Sequence, residues 1–448
     1  MIMNAGSSSL PARGRKGGIT YLACAAFLLT CLSVYCLENF APAHTGSGYI
    51  TLHLTLTLAM LAAWRWGGAS QGQLILFTGI AARLLLIPAP MLSSNDAERY
   101  IWDGAVALAG FDPYSVPPEN PAVAGLRAIW ATPPEHAAYP TLYPPAALTL
   151  FALSALAGPV WGIWLWKWIV SAAGILLLLL AHRLLRRHGL ERHLALVALS
   201  PLLVLEIGIG AHLDAFVALT IVAALLAFDR GRMAWVGALL GLGICIKLLP
   251  AAALFALALA AGWRAALRIG MAAAGSVAAI YAAALAIGWR PIGSLPVFFE
   301  KWRNGSPLFT LFEAYLPLQT MLVVIGLLGL LAAGAIILLA RKRTATAVQV
   351  ALAAPLVLSP VAFPWYLCAL VPLSALAPSA TLLIWLSASP LIYEVRDRFV
   401  AEGVWMPALW PLMVIGAGWI IGLAIDALRM RYGDRQNPRR RTALSTEK

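Results

Sequence analysis

Apolar runs long enough to cross a bilayer recur along this chain with only short polar loops between them, and no other feature limits its fold so strongly. The run Leu318 to Ala340, for example, carries no charged residue. About 20 such residues in a helix span a hydrocarbon core of roughly 30 Å. The strict apolar–polar alternation of a membrane β-barrel is missing. Of the 448 residues 61% are hydrophobic and 11% charged, against roughly 25% charged in soluble domains. The expectation is an all-α, polytopic transmembrane helical bundle of about 12–14 spans at roughly 20 residues each.

A net charge of +13 does not point to nucleic acid, because the basic residues fall in short loops and at the two ends, as cytoplasmic retention of Lys and Arg produces. The organisation expected is a cytoplasmic basic tail (1–18), two leading spans (19–71), a catalytic membrane module (72–288) with a long outer loop (89–161), a second outer interval with C-terminal spans (289–428), and a basic cytoplasmic tail (429–448). Ala41-Pro42-Ala43 resembles a signal-peptidase site, but the long apolar run before it favours an uncleaved anchor. Residues 146–158 are expected to lie along the interface rather than cross, which keeps the basic loop 182–188 on the cytoplasmic side. Trp161, Trp164, Trp166 and Trp168 then form an aromatic belt. Spans are expected near 194–208, 346–362, 365–378 and 380–393. Cys24, Cys31, Cys36, Cys245 and Cys368 lie in apolar runs without metal-ligand spacing, so no disulfide framework is expected.

Against this background one stretch stands out: Ser93-Ser94-Asn95-Asp96-Ala97-Glu98-Arg99-Tyr100-Ile101-Trp102-Asp103-Gly104, continuing to Gly110-Phe111-Asp112-Pro113-Tyr114. Ionisable groups gathered at the lip of a membrane segment are costly and mark function. In a helix over 93–109, Asp96, Arg99, Tyr100 and Asp103 share a face, with Ser93 or Ser94 as cap. The same spacing also fits a water-facing helix with ordinary surface charges. Further candidates are His212 and Asp214 at a span end and Lys247, isolated in Gly-Ile-Cys-Ile-Lys-Leu-Leu-Pro. Lys301 and Arg303, with Arg99, are candidates for a phosphate site. Three proline–aromatic knots (Asp112-Pro113-Tyr114, Tyr143-Pro144-Pro145 and Pro364-Trp365-Tyr366) suit sugar binding or interface anchoring. No Gly-rich nucleotide loop and no His-Glu-x-x-His motif is present. No cofactor is expected, no metal-ligand set is identified, and a divalent metal is left open.

The first-loop motif resembles that of GT-C membrane glycosyltransferases, closest to bacterial polyprenyl-phosphate-mannose-dependent α-mannosyltransferases and their glycosyltransferase family 87 relatives. There the loop commonly reads Ser-Asp-Asp-x-x-Arg-Tyr-x-Trp-Asp-Gly, with Asn-Pro-Tyr further on. Tyr-Pro-Pro, His-x-Asp-Ala and Pro-Trp-Tyr follow here in the same order. The resemblance implies a hexosyltransferase of the plasma membrane, acting on its outer face by inversion on a polyprenyl-phosphate sugar. Its acceptor would be a glycan, lipid or protein. It implies Asp96 as base and Asn95, Arg99, Tyr100, Asp103, Tyr114, Tyr143, Trp365 and Tyr366 as substrate contacts or their supports. His212, Asp214 and Lys247 would form the phosphate–sugar pocket. Asn95 stands where the family often has a first Asp, and the two spans before residue 72 stand as an addition. Rival readings are a transporter or lipid-linked-glycan flippase, which would place charges at the bilayer midplane on broken helices, and a polysaccharide polymerase or ligase, which would use the interval 289–316.

Overall fold

The computed structural model describes residues 12–37 and 44–435; Ala41-Pro42-Ala43 lies outside them. The described chain is a helical membrane bundle. Six helices are long and apolar enough to cross a membrane: Gly17–Leu37, Thr45–Trp66, Gly158–Arg187, Trp263–Ala286, Leu318–Ala340 and Leu409–Arg431. Six further apolar helices have 10–17 residues. Among the described residues the one β-type pairing is an isolated bridge between Asn304 and Val361.

The elements that build the site are α1 (Thr45–Trp66), α2 (Asp96–Leu108), α3 (Pro145–Ala155), α4 (Gly158–Arg187), α5 (Pro201–Gly208), α6 (Asp214–Asp229), α7 (Met233–Ile244), α8 (Pro250–Ala261), α9 (Leu295–Lys301), α10 (Thr344–Leu358) and α11 (Glu394–Glu402). At 11 residues, α3 is roughly 16 Å long, about half a bilayer core. It packs closely on α2, and Gly104 permits the approach: a Cβ there would lie 2.7 Å from the backbone nitrogen of Ala152.

Three places depart from the sequence expectation, each for a local reason. The run 194–208 is two short helices, Ala195–Ala198 and α5, because Pro201 cannot continue a helix from the preceding turn. Every residue of α5 is buried, so it is a core rod with no lipid-facing side. The runs 365–378 and 380–393 break into a 3₁₀ turn, Pro364–Leu370, and short helices Val371–Leu376 and Ala380–Ala388, all of them punctuated by proline or serine. Trp166 leaves the expected belt: it is fully buried and its indole N–H donates to the Ala211 carbonyl at 2.7 Å. Trp161, Trp164 and Trp168 stay exposed.

The polar interval after α2 is tied back by one arginine. Arg99 Nε donates to Asp103 Oδ1 at 2.8 Å, and its two terminal nitrogens donate to the carbonyls of His136 (3.0 Å) and Tyr139 (2.7 Å). Arg99 and Asp103 are both buried. The fork of a guanidinium suits such multiple fixed acceptors. Asp112-Pro113-Tyr114 braces the next knot, because the Tyr114 hydroxyl donates to the Tyr143 carbonyl at 2.8 Å. Ser294 Oγ donates to the Pro140 carbonyl at 2.7 Å, pinning the interval after Trp263–Ala286 to the same loop.

Removing one partner of a buried ion pair leaves an uncompensated charge, so Asp103→Ala is expected to destabilise the protein by about 3–5 kcal/mol. A large fall in the thermal midpoint of the detergent-solubilised protein checks this; an unchanged midpoint would mean the brace carries no stability.

Candidate active site

Behind the first loop the bundle encloses a cavity of about 930 Å³. Its walls come from both halves of the chain: Asn95, Asp96, Arg99 and Tyr143 from the first loop region, Lys247 from the turn between α7 and α8, and Trp365, Tyr366 and Arg396 from later segments.

Asp96 is the first residue of α2, with Asn95 at the cap position. The Asn95 side chain does not cap; its amide donates to Glu135. Ser94 Oγ instead accepts the Asp96 N–H at 3.3 Å. A carboxylate in the first turn is favoured by the helix dipole. Burial nevertheless dominates and lifts the Asp96 carboxyl to about 6; Lys247 opposes the rise and Asp214 adds to it. The nearby His136 goes the other way, down to about 4, through burial and then the Arg99 charge.

An aromatic bed fixes the residues around Asp96. The Tyr100 hydroxyl donates to Asp96 Oδ2 at 3.5 Å. The Tyr100 ring stacks on Phe151 of α3 at 4.6 Å and meets Tyr143 and Trp166 edge-on at 5.1 and 5.4 Å. Next to it, His212 Nδ1 lies 3.6 Å from Asp96 Oδ2. The imidazole is sandwiched flat against Trp365 at 4.0 Å, and Trp365 against Phe363 at 4.3 Å.

His212 reaches this position through a tight corner between α5 and α6. Ala211 has φ +49°, a left-handed conformation that a residue with a Cβ rarely adopts. The Trp166 hydrogen bond to its carbonyl holds it there. Gly210 is needed for space: a Cβ would fall 2.5 Å from the His212 ring and 2.6 Å from Ser93 Oγ.

On the other side of the imidazole a buried network extends into the bundle. His212 Nε2 lies 3.5 Å from Glu206 Oε2. Glu206 Oε1 accepts from the Tyr393 hydroxyl at 2.7 Å and lies 3.4 Å from His53 Nε2 of α1. Glu206, His53 and Tyr393 lie outside the residues that sequence pattern singles out. The available signal was Glu206 itself, a lone acid inside Leu-Leu-Val-Leu-Glu-Ile-Gly, where an uncompensated charge has no place in lipid.

The remaining expected residues divide. Lys247 Nζ donates to both oxygens of Asp214 at 2.8 and 2.9 Å and sits 3.7 Å above the Tyr366 ring. These three, with His212, Tyr100, Tyr143 and Trp365, gather around Asp96. Asp103 and Tyr114 do not line the cavity; they brace the loop that does. The expected phosphate trio of Arg99, Lys301 and Arg303 does not assemble. Arg99 is committed to the brace, Arg303 pairs with Glu313 at 2.9 Å, and neither Lys301 nor Arg303 reaches the cavity.

A family model for the alpha-(1->6)-mannopyranosyltransferase N-terminal domain matches residues 27–264, more than half of the chain. The chain belongs to this mannosyltransferase family. It is a glycosyltransferase of the GT-C type, built as a helical membrane bundle. The match begins within the first helix and contains all of α1, so the second leading span lies inside the family's N-terminal domain and supplies His53 to the network. It ends at the start of Trp263–Ala286, leaving Trp365, Tyr366 and Arg396 outside it. No curated protein and no solved structure matches the chain.

In this mannosyltransferase, Glu206→Gln keeps shape but changes the group that the Tyr393 hydroxyl and the His53 and His212 rings face. The His212 ring loses a fixed neighbour, so kcat is expected to fall about tenfold at a little-changed thermal midpoint. Wild-type kcat would separate Glu206 from the site.

Proposed function

We propose that the cavity transfers mannose from a polyprenyl-phosphate donor to an acceptor hydroxyl on the non-cytoplasmic face of the plasma membrane, by single displacement with Asp96 as base. The observation that carries this reading is the Asp96 carboxylate at a wall shared by a polar loop and a broad apolar lining. The charge pattern supports the sidedness. From Trp166, beside the site, to Arg187 at the other end of α4 is 21 residues of helix, roughly 30 Å at 1.5 Å per residue. Arg183, Arg186 and Arg187 therefore sit about one bilayer core from Asp96, and basic ends stay in the cytoplasm.

The chemistry asks for three things. The acceptor oxygen attacks the anomeric carbon as the bond from that carbon to the phosphate oxygen breaks, and the bonding pair leaves with the polyprenyl phosphate. The acceptor proton passes to Asp96, which must be ionised and within about 3 Å of the hydroxyl. Its carboxyl at about 6 suits a base working near neutrality: it is ionised at pH 7 yet retains more proton affinity than an ordinary aspartate. His212 and Tyr100 orient the carboxylate. The Lys247–Asp214 pair and the Trp365–Tyr366 edge contact the sugar, whose C–H face lies on aromatic rings while its hydroxyls bond carboxylate and ammonium. The acceptor enters past Asn95, Glu98 and Glu135 at the loop side of the cavity.

Asp96→Asn removes the base with little change in volume and is expected to lower kcat by about 10²–10⁴-fold while donor KM moves little. For the wild type, kcat is expected to rise as pH passes through about 6 and then level, because protonation disables the base. Both are read from radiolabelled mannose transfer in membranes. Near-normal transfer by the Asp96→Asn protein would remove this reading.

A further inference from the structure

Arg396 is a cation of the cavity wall whose charge acts on Tyr393, Tyr49 and the adjoining Asp397 without a close ion pair. It projects from α11 and is half-buried in the wall. Among the described residues it forms no ion pair, whereas Arg99, Lys247 and Arg303 are each held by a carboxylate. The Asp397 oxygens are taken up by the N–H groups of Gly46 and Ser47 at 2.6 and 2.8 Å, so the guanidinium donors are left for a ligand, and a half-buried charge gains from one.

A second, independent feature shares that wall. Asn304 is 5% exposed, lines the cavity, and neither its amide nitrogen nor its amide oxygen has a hydrogen-bond partner. Its backbone is clamped: its N–H donates to the Pro360 carbonyl at 3.2 Å and its carbonyl accepts from Ala362 at 2.8 Å. The next residue, Gly305, is packed so closely that a Cβ would lie 2.8 Å from Ile392 Cδ1. Ile392, Tyr393, Val395 and Arg396 line the same cavity as Asn304, so the orphaned amide and the guanidinium face one space.

The surroundings say what kind of anion fits. Val395, Phe399 and Val400, the neighbours of Arg396 at i−1, i+3 and i+4, line the same cavity, as do Leu295, Phe298 and Phe299 of α9. A planar guanidinium donates in a bidentate fashion to phosphate oxygens, and the apolar ring around it accommodates a hydrocarbon chain.

We propose that Arg396 and Asn304 form the site for the phosphate of an isoprenoid-type lipid phosphate, whose chain runs along the apolar face of α11 and α9. The inference rests on the lipid-linked donor reading and adds to it where the phosphate is held: in the part of the chain beyond the family match, and not at the Asp214-neutralised Lys247.

The test uses the full-length protein in detergent and measures saturable binding of radiolabelled undecaprenyl phosphate, with undecaprenol, inorganic phosphate and phosphatidylglycerol as competitors. Wild type is expected to bind the lipid phosphate, with none of the three competing comparably. Arg396→Gln is expected to weaken binding at least about tenfold, as loss of a charged bidentate contact does. Arg396→Lys should recover part of it, and Asn304→Ala should weaken it at an unchanged thermal midpoint. Wild-type binding by both Arg396→Gln and Asn304→Ala, or inorganic phosphate competing as well as the lipid phosphate, overturns the proposal. Transfer assays separate the two claims. If Arg396→Gln transfers mannose with the wild-type donor KM, the phosphate site is wrong and the donor reading stands. If wild type binds the lipid phosphate through Arg396 but does not use the lipid-linked sugar, the donor reading is wrong and the site stands.

Discussion

The candidate site depends on ionisable groups held away from bulk water in a helical membrane bundle. A charge at such a depth persists only where partners answer it, and each group around Asp96 is answered by one from a different segment. Lys247, between α7 and α8, is met by both oxygens of Asp214 on α6. His212 stands between Asp96 on α2 and Glu206 on α5. Glu206 reaches back to His53 on α1 and to Tyr393 just before α11. Because these contacts join distant parts of the chain, the helices cannot shift independently without stranding a charge. The same contacts hold the site together, while burial raises the proton affinity of Asp96.

Much of this was legible from sequence. The apolar runs mark the fold class, and the density of acids and aromatics in Ser93–Gly104 marks a stretch that does line the cavity taken as the candidate site. Both signals are local, since a segment's solvent is written in its own composition and an isolated charge in an apolar run is visible by itself. His212, Asp214, Lys247 and the Pro-Trp-Tyr knot could be named for the same reason.

What sequence could not supply was partnership. Asp103 and Arg99 share a helix face with Asp96, yet Asp103 accepts from Arg99, and Arg99 turns to the loop carbonyls of His136 and Tyr139. Helical spacing fixes which side chains lie on one face, not which acceptors the tertiary fold brings to it. Trp166 looked like its exposed neighbours Trp161, Trp164 and Trp168 until the corner at Ala211 presented a carbonyl to it. Arg396 is ordinary within its charged segment, and Glu206, though conspicuous as a lone acid in an apolar run, has no partner legible there; only long-range packing makes one part of the cavity wall and the other a neighbour of His212.

The account is tested most directly by cryo-electron microscopy of the full-length protein with a non-transferable phosphonate analogue of a polyprenyl-phosphate mannose. The mannose is expected against Trp365 and Tyr366 with its anomeric carbon facing Asp96, the phosphonate on Arg396 and Asn304, and the prenyl chain along α9 and α11. A headgroup bound at the arginine-rich end of α4, or seated in the cavity with its anomeric carbon turned away from Asp96, would contradict it.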